Sequence, residues 1–111
     1  MLRNLFSRPD SIDVAEAARR LDLGEIVLVD VRETNEWRSG RARGATHVPL
    51  STVPHRLRTL ASHGKPIAFI CRSGARSGRA CAAARNHGIE ALNVHGGMGA
   101  WQRAGLPVTG G

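Results

Sequence analysis

The chain has 111 residues, with 16 Lys plus Arg against 9 Asp plus Glu, a formal net charge of +7 and only 4% aromatic residues. That length suits one domain over 1–111, with a core expected at about 13–108 and loose ends at 1–10 and 109–111. Lys65 is the one lysine, no run of five basic residues occurs and aromatics are few, so the composition argues against nucleic-acid binding and leaves steering of small anions as a use for the charge.

Met1-Leu2-Arg3-Asn4-Leu5-Phe6 is too short and too polar for an export signal, and no apolar run is long enough for a bilayer. A cytoplasmic protein without a membrane partner is expected. Asp13-Val14-Ala15-Glu16 has capping-box spacing and opens a helix to about Leu21, ended by Gly24. Ile26 to Val31 is apolar and β-branched, which predicts a strand. Its carboxyl end delivers Asp30 and Arg32. These two either stand behind the site, with the carboxylate orienting loop amides or an arginine, or simply form an ion-paired strand end. Trp37 reads as a packing residue and Arg38 to Gly44 as a basic loop. Thr46-His47-Val48 is a short extended piece stopped by Pro49. Ser51 or Thr52 caps a helix that carries Pro54 in its first turn and runs through about Ala61. His63-Gly64-Lys65-Pro66 breaks it.

Ile67 to Ile70 is a short apolar run bounded by Pro66 and a Gly-containing loop, as expected of a strand covered on both faces. The loop is Cys71-Arg72-Ser73-Gly74-Ala75-Arg76, and Ser77 begins an Ala- and Arg-rich helix that His87-Gly88 ends. Ala91 to Val94 forms the next strand, His95-Gly96-Gly97 a turn, and Met98 to Ala104 a last helix before Gly105-Leu106-Pro107. This alternation predicts an α/β fold, a parallel central sheet of about five strands with helices on both faces.

Cys71 then lies at the carboxyl end of a strand and just before a helix, where ligands of open α/β sheets bind. Helix N-termini and nearby arginines lower a thiol's pKa from about 8.5 to roughly 3.5 to 7.5. Both are at hand: the free N–H groups of the loop, and Arg72 and Arg76. Gly74 lets the loop turn its amides inward. The segment reads as a small anion cradle with a reactive sulfur at its base. Cys81, on the helix, reads as a packing residue. The two cysteines make no Cys-x-x-Cys pair, which favours a reducing compartment. The five histidines show no ligand spacing, so no metal is expected. No cofactor motif is present, and no residue is placed as a general base for Cys71, which argues against a Cys-His hydrolase.

Cys71-Arg72-Ser73-Gly74-Ala75-Arg76-Ser77 resembles the active-site loop of single-domain rhodaneses, the thiosulfate sulfurtransferases. Leu28-Val29-Asp30-Val31-Arg32 with Glu36-Trp37 resembles that family's Asp-x-Arg strand end and following acid and aromatic. Gly40 to Pro49 resembles its Gly-His-Ile-x-Gly-Ala-x-x-Ile-Pro segment, with Arg41 where histidine is common, and Gly96-Gly97-Met98-Gly99-Ala100-Trp101 matches its Gly-Gly-x-x-x-Trp. The resemblance runs from about Asp13 to Val108. It implies a rhodanese-like fold and transfer of sulfane sulfur through a persulfide on Cys71. Arg72, Ser73, Gly74, Ala75, Arg76 and Ser77 would hold the substrate, with Asp30 and Arg32 behind them. The implied donor is thiosulfate or a persulfide, and the acceptor cyanide or a thiol, with glutathione and thioredoxin as candidates. Two other readings use the same fold. Related phosphatases and arsenate reductases have five residues between Cys and Arg, where this loop has four, a tighter ring better fitted to one sulfur atom than to an oxyanion. Non-catalytic binding or regulatory modules often lack the cysteine that this chain keeps.

Overall fold

In the computed structural model residues 10–111 are described, so the expectation of a loose segment at 1–10 lies, except for Asp10, outside the described residues. In chain order the elements are β1 (Ser11–Ile12), α1 (Val14–Asp22), β2 (Val27–Asp30), α2 (Thr34–Arg38), β3 (Arg41–Ala42), β4 (Thr46–His47), a 3-10 turn (Leu50–Thr52), α3 (Val53–Ala61), β5 (Ile67–Ile70), α4 (Ala75–Asn86), β6 (Ala91–Val94), α5 (Gly97–Arg103) and β7 (Val108–Thr109).

The five-stranded sheet has the order β1-β6-β5-β2-β4, and all its pairs are parallel. Strand side chains alternate between the two faces, and the apolar residues follow suit. Val29, Phe69 and Ala91 pack with Leu57 and Leu60 of α3 and with Ala80, Cys81 and Ala84 of α4. Leu28, Ala68, Ile70, Leu92 and Val94 pack on the other side with Val14 and Ala17 of α1 and with Met98 and Trp101 of α5. Phe69 and Trp101 are fully buried, and truncating either to Ala should cost about 3–5 kcal/mol. The register sets Asp30 beside Ile70 and Asn93 beside Phe69. The carboxyl ends of β2, β5 and β6 therefore open on one edge, and Cys71 is the first residue beyond β5. No helix among the described residues is long and apolar enough to cross a membrane.

Local signals explain most boundaries. The Asp13 carboxylate accepts from Glu16 N–H at 2.8 Å, as a helix cap does. Four details differ from expectation. Helix α4 begins at Ala75, two residues early, because Gly74 takes φ 119° and supplies the turn itself. Thr52 precedes α3, but its hydroxyl donates to Pro49 O at 2.8 Å rather than capping the helix. The basic loop from Arg38 to Gly44 holds the end of α2 and the strand β3. That strand pairs antiparallel with β7, so Thr109, expected in a loose end, lies opposite Arg41. A five-residue helix and two-residue strands are too short to show a hydrophobic period.

Candidate active site

The chain leaves β5 at Cys71 and must reverse into α4 within four residues. Gly74 makes the turn in a left-handed conformation at φ 119°, and its N–H then points back at Cys71 Sγ, 3.1 Å away. The Ser77 hydroxyl lies 3.2 Å from the same sulfur. Cys71 is 1% exposed, so the thiol sits at the floor of its loop. Burial pushes the thiol up. The Ser77 hydroxyl and the N–H groups of Ser77, Gly74 and Ser73 outweigh that and hold it below its ordinary value. The Ser77 hydroxyl and the amides are the larger causes, and Arg76, one of the two arginines expected to add to the lowering, interacts with the Cys71 charge as well.

The loop is braced from two sides. Asn93, half-buried in β6, donates to Gly74 O at 3.1 Å and accepts from the Ser77 hydroxyl at 2.6 Å. At the start of α5, Met98 N–H donates to Cys71 O at 2.8 Å and Gly99 N–H to Arg72 O at 3.1 Å. That close approach is why Gly97 must be glycine: its φ is 55°, and a Cβ there would stand 2.6 Å from the carbonyl carbon of Arg72. The Gly96-Gly97 pair singled out in the sequence thus holds the backbone that carries the thiol.

Arg76 lies in the first turn of α4, partly exposed. Its guanidinium forms a bidentate pair with Glu36 of α2, at 2.7 and 2.9 Å. Arg76 holds the Glu36 carboxyl well below the usual carboxylate range, at about 2, so the pair stays ionised. Trp37, next to Glu36, stacks on His47 with ring centroids 4.7 Å apart, and Arg41 lies over its ring at 4.8 Å. The packing role expected for Trp37 is thus to fix α2 on the sheet. Between α2, Gly40 and α5 runs a cleft of about 200 Å³, lined by Asn35, Glu36, Ser39, Arg72 and Gln102 with Arg32 at its wall. Exposed Arg72 is the loop residue that faces it.

Asp30 and Arg32 are both buried and pair with each other, Nη2 to Oδ2 at 2.9 Å. Arg32 also donates to Gly40 O at 2.7 Å. Its carbonyl takes a hydrogen bond from His47 Nε2 at 2.8 Å, which requires the proton on that nitrogen. The Asp30 carboxylate thus orients Arg32 at the wall of the cleft and ion-pairs the end of β2. The pair anchors the Gly40 turn behind the cleft and makes no hydrogen bond to the Cys71 loop.

Glu36 and Asn93 are the site residues that spacing did not reveal. Glu36 lies forty positions from Arg76. Asn93 did leave a trace, as a polar residue inside the apolar run Ala91 to Val94.

Residues 13–104 match the rhodanese-like domain. A sulfurtransferase of Allochromatium vinosum is 36% identical over 102 residues, covering 90% of this chain and 94% of the relative. A thiosulfate sulfurtransferase of Vibrio cholerae is 30% identical over 98 residues, covering 87% and 92%. The crystal structure of a rhodanese-like domain protein from Staphylococcus aureus superposes with a TM-score of 0.75 at 31% identity, covering 83% of this chain and 90% of that one. With the parallel sheet, the short loop after β5 and these relatives in hand, the chain belongs to the rhodanese-like domain family, among relatives named sulfurtransferases.

Proposed function

We infer that the protein transfers sulfane sulfur from thiosulfate, or from a persulfide donor, to cyanide or a thiol through a persulfide on Cys71. The observation that carries this reading is the sulfur itself, held 3.1 Å from an inward-pointing amide at the floor of a four-residue loop. Such donors favour the thiolate and are already aimed before any substrate arrives. In the first half-reaction Cys71 Sγ attacks the outer sulfur of thiosulfate. A new S–S bond forms, the bond within thiosulfate breaks, and its electron pair leaves with sulfite. In the second, cyanide or a thiolate attacks the terminal sulfur of the persulfide, and the Cys71 thiolate returns. The terminal sulfur bears the negative charge of the persulfide, and the N–H groups of the loop are its natural donors.

Arg72, exposed at the rim of the cleft, is suited to meet an incoming dianion. Arg76, spoken for by Glu36, offers its remaining N–H groups and holds the loop in place. Ser73 and Ala75 contribute backbone, and Ser77 its hydroxyl. A carboxylate-bearing thiol such as glutathione, or a thiol on a protein such as thioredoxin, would approach through the same polar cleft. The test is a thiosulfate and cyanide mixture in which thiocyanate is measured. Release well above the uncatalysed rate is expected, and a rate equal to the blank with thiosulfate, and again with a glutathione persulfide as donor, would contradict the reading.

A further inference from the structure

The hydrogen bonds around Ser77 leave one proton with two claimants. The carbonyl of Gly74 can only accept, so the Asn93 amide must turn its Nδ2 toward it. Oδ1 of the same side chain then faces the Ser77 hydroxyl at 2.6 Å, and that oxygen too can only accept. The single Ser77 proton is therefore committed to Asn93. Cys71 Sγ, 3.2 Å from the same hydroxyl, can meet it only by donating its own S–H. This arrangement satisfies a thiol and leaves a thiolate facing the lone pairs of the Ser77 oxygen.

We propose that Asn93 is a positioning residue for the sulfur chemistry, holding the Ser77 proton while Cys71 is a thiol and releasing it to the sulfur once Cys71 is a thiolate. Deprotonation of Cys71 sends its proton to solvent. The Ser77 hydroxyl then rotates, its bond to Asn93 Oδ1 breaks, and a bond to Sγ forms. When sulfur transfer makes Sγ neutral again, within the persulfide, the proton swings back to Asn93. Throughout, Asn93 Nδ2 keeps its hold on Gly74, so the loop does not move. The hydroxyl lowers the pKa of the thiol only in the rotated state, and Asn93 sets how readily that state is reached. The proposal rests on Cys71 being the nucleophile.

The other titratable and charged groups near Cys71 do not supply this switch. Arg72 lies on the exposed rim. Arg76 is held by Glu36, which stays ionised. Arg32 is held by buried Asp30 at the end of β2. Cys81 of α4 is buried in the core with its thiol pushed up to about 11. From α5 the backbone reaches Cys71 through Met98 N–H.

The test is the alkylation rate of Cys71 by iodoacetamide across pH, followed by peptide mass. It is run on the parent, Asn93→Ala, Ser77→Ala and the double variant. Loss of Asn93 both frees the Ser77 proton and loosens Gly74, and the cycle separates the two. The change caused by Asn93→Ala at low pH, divided by the change it causes in the Ser77→Ala background, should be about threefold to tenfold in favour of faster reaction, the worth of one hydrogen bond. A ratio of one or less would overturn the proposal. If Asn93→Ala fails to fold, the infrared S–H band of Cys71 in Cys81→Ser protein decides the matter. It should move to higher frequency in Ser77→Ala, because the thiol loses its acceptor, and an unmoved band would overturn the proposal. Alkylation needs no sulfur donor, so these outcomes are independent of whether thiosulfate is a substrate.

Discussion

Cys71 and Cys81 are each 1% exposed and lie ten positions apart across a loop and a helix. Burial acts on both in the same direction. Cys81 lies among Leu57, Leu60, Phe69 and other apolar side chains, and burial drives its thiol to about 11. Cys71 meets the same penalty and ends below its ordinary value, because a hydroxyl and three N–H groups face it. What separates the two thiols here is the set of donors around Cys71 rather than access to water. Those donors exist because Gly74 turns the chain and because α5 and Asn93 hold the turn.

The strongest way to break this comparison is to remove each sulfur in turn. Cys71→Ser should bring thiosulfate:cyanide transfer down to the blank. Cys81→Ser should keep most of it, apart from a modest loss of stability. The reverse pattern would assign the chemistry to the wrong thiol.

A smaller effect is expected in direct reactivity. At pH 7 the thiolate fraction of Cys71 should exceed that of Cys81 by over about a hundredfold, from a value below 9.0 against one of about 11. The greater nucleophilicity of the more basic thiolate returns roughly tenfold. Iodoacetamide should therefore label Cys71 at least about tenfold faster. Labelling of Cys71 should rise with pH first, and that of Cys81 only as pH approaches 11. Equal rates across the range would mean that the amides do not act on the sulfur.

The smallest change sharpens the claim that α5 supports the loop. Gly97→Ala forces a methyl group against the Arg72 backbone. It should lower stability by about 1–3 kcal/mol and slow Cys71 labelling at pH 7 while leaving Cys81 as slow as before. Chemical denaturation and peptide mass read the two effects. An unchanged Cys71 rate at full stability would remove α5 from the account.

Much of this was legible in the sequence because it rests on local patterns. The apolar tetrads at Ile67 and Ala91, the Asp13 cap and the alternation of strands with helices all lie within a few residues and carry a period. The turn around Cys71 was legible too, since Cys71, Gly74 and Ser77 are neighbours in the chain. The bracing was not. Glu36 reaches Arg76, and Asn93 reaches Ser77 and Gly74, across gaps that only the packed sheet closes. The antiparallel pairing of Arg41 with Thr109 is likewise a product of the finished fold. The two arginines of the loop looked alike in sequence, and α2 makes them different by holding one of them.

The central claim is that Cys71 accepts sulfur and Cys81 does not. The protein is treated with thiosulfate, desalted under non-reducing conditions and digested, and each cysteine peptide is weighed. The account predicts the mass of one added sulfur atom on the peptide carrying Cys71, lost again on treatment with cyanide, and none on the peptide carrying Cys81. Added sulfur on Cys81, or on neither, would contradict it.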